Sequence, residues 1–403
     1  MILINKFGNK IELLAPAGDL SRLKTAFYFG ADAVYLGGKE FGLRAKSVNF
    51  SQDEITEAVN YTHSLGKKLY VTVNIFAKNN DIEKIKEYAL FLNNACVDAV
   101  IVSDLGVLNI FKTLTNLEIH MSTQANICNS LAAMQCAQLG AKRIILAREL
   151  PVRDISEICD CLKGKADIEI FVHGAMCISY SGRCLMSKYM TGRDANRGDC
   201  AHPCRYKYFL QEEKRPGEYF PVEEDDNGTY IMNSRDLCLI NKLNELAGAG
   251  VASFKIEGRM KSEYYVGGAV NAYRRAMNGE KFDYMAELEK LSHRPFTAGF
   301  TFNDNKKEFD KSAAVISDYI VVAIVIENNQ DRITQKEYES FEAQIKIKNK
   351  ITKGDEIEIL SPSNNNGKTF IYNNDTASIP ERIILIDCPY KLEPYDILCK
   401  KSD

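Results

Sequence analysis

The chain has 403 residues, 26% of them charged and 45% hydrophobic, with a formal net charge of −3. That composition belongs to a folded globular protein and excludes a disordered one. The length exceeds what one small core organises and predicts a large domain joined to a smaller one. No global basic field advertises a nucleic-acid partner, so any RNA contact must come from a local patch.

The start, MILINKFGNKIELLAPAG, lacks the charged and apolar regions of a secretory signal. No apolar stretch approaches the roughly 18 residues that span a bilayer, so the sequence predicts a cytoplasmic protein with no membrane partner. In that reducing compartment twelve cysteines argue against a disulfide framework and for thiols with a metal or redox site.

From Ile11 to about residue 280 one theme repeats: a short apolar run, a turn, a helical pattern. IELLAP (Ile11 to Pro16) precedes DLSRLKTAFYFG, with Asp19 as N-cap. AVYLGG, from Ala33, precedes SQDEITEAVNYTHSLG, where Ser51 and Glu54 have capping-box spacing. KLYVTVN (Lys68 to Asn74), AVIVSD (Ala99 to Asp104), EIHMST (Glu118 to Thr123) and RIILAR (Arg143 to Arg148) are each followed by a helical segment. EIFVHG (Glu169 to Gly174) runs into a cysteine-rich stretch, and its helix, LCLINKLNELAGAG, is delayed until Leu237. FKIEGR (Phe254 to Arg259) closes the series before SEYYVGGAVNAYRRAMNG.

Continuously apolar strands alternating with helices predict a parallel sheet covered on both faces. About eight such units point to an α/β fold, a (β/α)8 TIM-like barrel, with a doubly wound open sheet as the fallback. In both, the active site lies beyond the C-terminal strand ends. Those ends are polar here: Asn74, Asp104, His120 with Gln124 and Asn126, Arg148 with Glu149, His173, and Lys255 with Glu257 and Arg259. The pattern reads as a polar cavity that binds something.

The barrel domain spans 1–285 and carries a Cys-rich insertion after strand seven, 175–238. A loop of that length inside a compact domain is usually functional. It is locally basic, with Arg183, Lys188, Arg193, Arg197, Arg205 and Lys207. A linker follows at 286–311, and the alternating segments of 312–403 read as a small antiparallel β-barrel.

Five cysteines crowd the insertion and its end: Cys177, Cys184, Cys200, Cys204 and Cys238. A nucleophilic thiol needs a base, and His173 stands four residues before Cys177. Structural zinc sites favour ligands two to four residues apart, a spacing met by Cys200 and Cys204 alone. An iron–sulfur cluster takes four thiolates from loops distant in sequence. The remaining cysteines sit in apolar runs and pack as small hydrophobes.

The run EIFVHGAMCISYSGRCLMS (Glu169 to Ser187) resembles the signature of the collagenase-like peptidase family U-32. LLAPAG, GADAVYLGG, STQAN, NRGDCAHPCR, MNSRDLC and FKIEGRMKS extend the resemblance from Leu13 to Ser262. The family includes the tRNA hydroxylation proteins, the branch this chain looks closest to. The resemblance implies prephenate-dependent hydroxylation of wobble uridine in tRNA to 5-hydroxyuridine, in some settings with a homologous family member as partner.

It also implies a 4Fe–4S cluster on Cys177, Cys184, Cys200 and Cys238, with Cys204 as the alternate to Cys200 and zinc as the alternative metal. Prephenate is a dicarboxylate, and Arg148, Arg183, Lys255 and Arg259 are the candidate cations for it. His120, Gln124 and Asn126 are candidates for the flipped uridine, and His173 and Glu257 for catalysis. For each polar residue the competing expectation is a rim ion pair, such as Glu149 with Arg148 or Glu257 with Lys255. The rival functions are a metal- or thiol-dependent peptidase acting on collagen-like substrates, and a non-catalytic, cluster-bearing partner subunit.

Overall fold

Eight short apolar strands pair in parallel and close into a barrel in the computed structural model. It describes residues 2–42, 49–177, 179–206, 210–211, 219–220, 235–302, 318–326, 335–336, 340–374 and 379–402. The strands are β1 (Glu12–Pro16), β2 (Ala33–Gly37), β3 (Lys68–Val73), β4 (Ala99–Val102), β5 (Glu118–Met121), β6 (Arg143–Ile145), β7 (Asp167–Ala175) and an eighth, Ser253–Ile256. The eighth pairs with β7 on one side and with β1 on the other, which closes the ring. The predicted (β/α)8 architecture is the one observed.

Helices α1 (Leu20–Tyr28), α2 (Gln52–Ser64), α3 (Ile82–Asn94), α4 (Leu105–Leu114), α5 (Ser130–Leu139) and α6 (Val152–Leu162) cover the first six strands. Asp19 caps α1 by accepting from the Arg22 N–H, and Ser51 and Glu54 form the capping box of α2. After β7 a short helix, Met186–Thr191, lies in the insertion, the next helix of the series comes late, at Leu243–Ala249, and Glu263–Asn278 follows the eighth strand. Leu237 and Cys238, read from sequence as helical, belong instead to a strand, Asp236–Cys238. Buried Tyr265 and Tyr273 anchor the last long helix against the barrel, each such burial contributing about 1.5–3 kcal/mol.

Several strands stop short of the polar residues assigned to them. Asp104 caps α4, its carboxylate accepting from the Val107 N–H. Ser122 accepts from the Gln124 N–H, and Ser103 donates to the Asn74 carbonyl. Side chains that bond to loop backbone pull the chain out of the ladder.

Among the described residues the C-terminal segments form a seven-stranded antiparallel sheet, curled around a core of its own, where the sequence predicts a small barrel. Its strands include Tyr319–Val325, Ser340–Ile347, Glu356–Leu360, Ile383–Cys388 and Ile397–Lys401. Residues 303–317, which contain the proposed boundary at 312, lie outside the described residues. The sheet rests on α1 and on helix Glu263–Asn278. The Tyr28 hydroxyl donates to Asp396 at 2.8 Å, and the Asn271 amide donates to Asn366 at 3.1 Å. A short helix, Tyr284–Glu289, occupies the start of the proposed linker, and its neighbour Lys290 pairs with Glu358 of the sheet. No helix among the described residues is long and apolar enough to cross a membrane.

Candidate active site at the barrel mouth

β7 outruns its neighbours, and strand Asp236–Cys238 returns antiparallel along its end, placing Cys238 opposite His173. Arg294 fixes this return, gripping Asp236 through Nε at 3.0 Å and Nη2 at 2.6 Å. From Ala175 the cysteine-rich segment laps back over the other strand ends. Arg148 donates to the Ala175 carbonyl at 2.7 Å, and Ser181 N–H donates to the Glu149 carboxylate at 3.0 Å. Further along, Arg197 donates to the Phe76 carbonyl and to Asp81, both at 2.8 Å. The loops after β3 and β6 are thus bound to one segment, which laps over the C-terminal mouth.

The rim cations do not pair as predicted. Glu149 receives Ser181, and Arg148 lies over the Phe171 ring at 3.9 Å. Lys255 pairs with Glu169 at 2.8 Å, not with Glu257, and is buried. Its ammonium sits 4.3 Å from the Tyr35 ring centroid and 5.4 Å from that of Phe171. Arg148 and Lys255 therefore flank one aromatic ring. Arg259 is buried on the opposite side of the mouth, donating to Thr72 Oγ1 at 3.0 Å. A Cβ on Gly37 would stand 2.2 Å from the Arg259 guanidinium, so a side chain there would have to displace it from Thr72. Arg183 is exposed and forms no ion pair among the described residues.

His120 lies deeper than the sequence placed it. It pairs in register with Arg143, the first residue of β6, and its ring meets Tyr70 edge-on at 4.8 Å. Burial pushes its pKa down, and Glu118 only partly opposes this. It belongs to a polar layer inside the barrel that sequence reasoning missed. There Arg143 bridges Glu12 at 2.5 Å and Glu169 at 3.1 Å, while Tyr70 and Ser253 donate to Glu12 at 2.7 and 2.9 Å. Burial alone would raise the Glu169 pKa, but Lys255 and Arg143 outweigh it and hold the carboxyl below its ordinary range. The available signal was a charge at or next to the start of three of the apolar runs: Glu12, Arg143 and Glu169.

Gln124 and Asn126 do reach the mouth, on the turn after β5, where Asn126 adopts φ 56°. Asn126 Nδ2 and Asn74 Oδ1 are buried with no hydrogen-bond partner among the described residues. The two loops touch where Asn74 Nδ2 donates to Ser122 Oγ at 3.3 Å, and an unmet donor and an unmet acceptor there suit a ligand bearing both kinds of group.

His173 is walled in by Tyr273, Phe296 and Tyr265, with ring centroids 5.4, 5.7 and 5.8 Å away. Burial pushes its pKa down to about 4, against a nearby Asp236, so the imidazole is neutral at pH 7. Its Nδ1 has no partner among the described residues. Glu257 is held by its backbone, its N–H donating to the His173 carbonyl at 2.9 Å and its carbonyl accepting from Tyr265 Oη at 3.2 Å.

All twelve cysteines are free thiols. Cys177 is exposed; Cys184, Cys200, Cys204 and Cys238 are half-buried. The Cys184 carbonyl accepts from Asn196 at 2.9 Å, and the Cys200 thiol lies 3.8 Å from His202 Nδ1. Cys238 Sγ lies 4.0 Å from both Tyr273 Oη and Met285 Sδ. Among the described residues no three His, Cys, Asp or Glu side chains gather as a metal site. The four implied cluster ligands are therefore not gathered as placed. Lys207, one of the predicted basic residues, lies outside the described residues.

The family described as Peptidase family U32 matches residues 18–311. The chain belongs to that family. It is 44% identical to "Uncharacterized protease MJ0090" of Methanocaldococcus jannaschii over 74% of this chain and 75% of that protein. Against "tRNA hydroxylation protein P1" of Bacillus subtilis identity is 38%, covering 88% of this chain and 84% of the relative. Against "tRNA hydroxylation protein P" of Escherichia coli it is 35%, covering 88% and 87%.

Proposed function

We propose that this U32 chain is an RNA-modifying enzyme that hydroxylates wobble uridine of tRNA to 5-hydroxyuridine, with prephenate as partner substrate. The observation carrying this reading is the similarity to proteins named for tRNA hydroxylation, which extends over 88% of the chain. The mouth is consistent with it. Arg148 and Arg259 offer guanidinium groups to a dicarboxylate from two sides, while the unmet groups of Asn74 and Asn126 suit a base edge.

The cluster implied for Cys177, Cys184, Cys200 and Cys238 is part of the proposal. The described thiols do not gather, so no step runs through it. A homologous family member as partner subunit is likewise proposed.

The test is nucleoside analysis of tRNA from a strain lacking this chain and any paralogue. Loss of 5-hydroxyuridine derivatives is expected, and unchanged wobble nucleosides would sink the assignment. The relative named as a protease favours a second reading, peptidase action. Gelatin cleavage by the purified protein, abolished by Cys177→Ala, would support that reading instead.

A further inference from the structure

Among the described residues four Phe or Tyr rings are exposed: Phe76 (36%), Tyr180 (60%), Tyr189 (88%) and Tyr206 (47%). The chain has no Trp. All four belong to the cysteine-rich segment or to the loop bound to it. Phe76 N–H donates to the Asn196 carbonyl at 3.0 Å, and its own carbonyl accepts from Arg197. Helix Met186–Thr191 packs on Pro203–Arg205. Ala201 N–H donates to Ser187 Oγ and Tyr206 Oη donates to the Ala201 carbonyl, both at 2.9 Å. Tyr189 and Tyr206 therefore occupy one locality. The hydroxyls of Tyr180 and Tyr189 make no hydrogen bond among the described residues.

The charge of this segment is the reverse of the molecule's. Residues 175–206 carry five Lys or Arg against two Asp, a net of +3 on a chain of −3. Both aspartates are engaged locally, Asp199 with Arg193 at 2.8 Å and Asp194 as acceptor for the Asn196 N–H. Arg183 and Lys188 are exposed and pair with no carboxylate among the described residues. The exposed rings of Tyr180 and Tyr189, interleaved with the unpaired cations Arg183 and Lys188, match a strand whose bases each present a π-face and whose phosphates are anionic.

We propose that this surface is a stacking platform for single-stranded RNA. Tyr180 and Tyr189 carry bases, and Arg183 and Lys188 meet phosphates. The inference rests on the RNA reading above and adds which strand form is held, and by what.

The test is fluorescence anisotropy of a labelled oligouridine single strand with the intact protein. Tyr189→Ala weakens binding about five- to a hundredfold while Tyr189→Phe retains it. Lys188→Ala weakens binding and lowers the salt slope by roughly 0.7. Leu114→Ala, at the far end of α4, changes nothing. If Tyr180→Ala and Tyr189→Ala bind as wild type while Lys188→Ala weakens, stacking is overturned and the RNA reading stands. If the wild type binds neither oligouridine nor tRNA, both are overturned. A dimer in sedimentation that Tyr189→Ala dissociates, with RNA binding unchanged, overturns the platform in favour of a self-interface.

Discussion

Gly182 presses its α-carbon against the backbone of Gln124: a Cβ there would stand 2.1 Å from the Gln124 carbonyl oxygen. Its φ of +73° is also one that only glycine adopts without strain. This contact seats the loop from Cys177 to Cys184 on the turn after β5, beside Asn126. Gly182→Ala is expected to lift the segment at a local cost of about 1–3 kcal/mol. Limited proteolysis should then cut within 177–206 while the barrel keeps its melting temperature.

Glu169 holds Lys255 and Arg143 together in the barrel interior. Glu169→Gln leaves those two cations short of a counter-charge and should lower stability by about 3–5 kcal/mol in urea denaturation. Glu169→Leu combined with Lys255→Met should recover most of the loss, because the charge left unpaired is removed with its partner. A single variant as stable as wild type would show that the pair is not buried in solution.

Asp396 couples pH to docking of the C-terminal sheet. Burial raises its pKa above the ordinary 3.8, outweighing the bonds from the Glu393 N–H, Ser361 and Tyr28. A raised folded-state pKa means the stabilising contribution is full below the ordinary value and is lost as pH rises through the raised one. Buried Glu287, also raised chiefly by burial, acts in the same direction at the same contact. Hydrogen-exchange protection factors at the sheet's contact with α1, which remove the intrinsic pH dependence of exchange, should therefore fall as pH climbs through the acid range. Asp396→Asn should flatten that dependence.

The cysteine set has a direct assay. If Cys177, Cys184, Cys200 and Cys238 hold a 4Fe–4S cluster, anaerobically purified protein contains iron and sulfide, and Cys177→Ser loses them. Retention of iron by Cys238→Ser but not by Cys204→Ser would redraw the ligand set. Colourless protein with stoichiometric zinc would remove the cluster from the proposal.

The barrel was legible because each strand is an apolar run bounded by turn residues, and many of its helices start at a capping side chain: Asp19, Ser51, Asp104, Asn129 and Ser262. Asp19 and the Ser51–Glu54 pair act locally, within three residues of the groups they bond, so sequence suffices to find them. The same locality exposed the cysteine-rich segment as an insertion: its polar and basic texture interrupts a regular series.

What only tertiary structure decided is which charge meets which. Glu12 and Arg143 are 131 positions apart yet share a hydrogen bond, and Lys255 passes over nearby Glu257 for Glu169. A strand's sequence alternates its faces without saying which one looks inward, and barrel closure alone brings β1 beside the eighth strand. His173 shows the reverse side of that rule. Its position at a strand end is readable, but the three rings that keep it neutral come from segments at 265, 273 and 296. Sequence determines periodicity and capping because those act within a few residues; burial and pairing depend on distances that exist only once the chain has closed on itself.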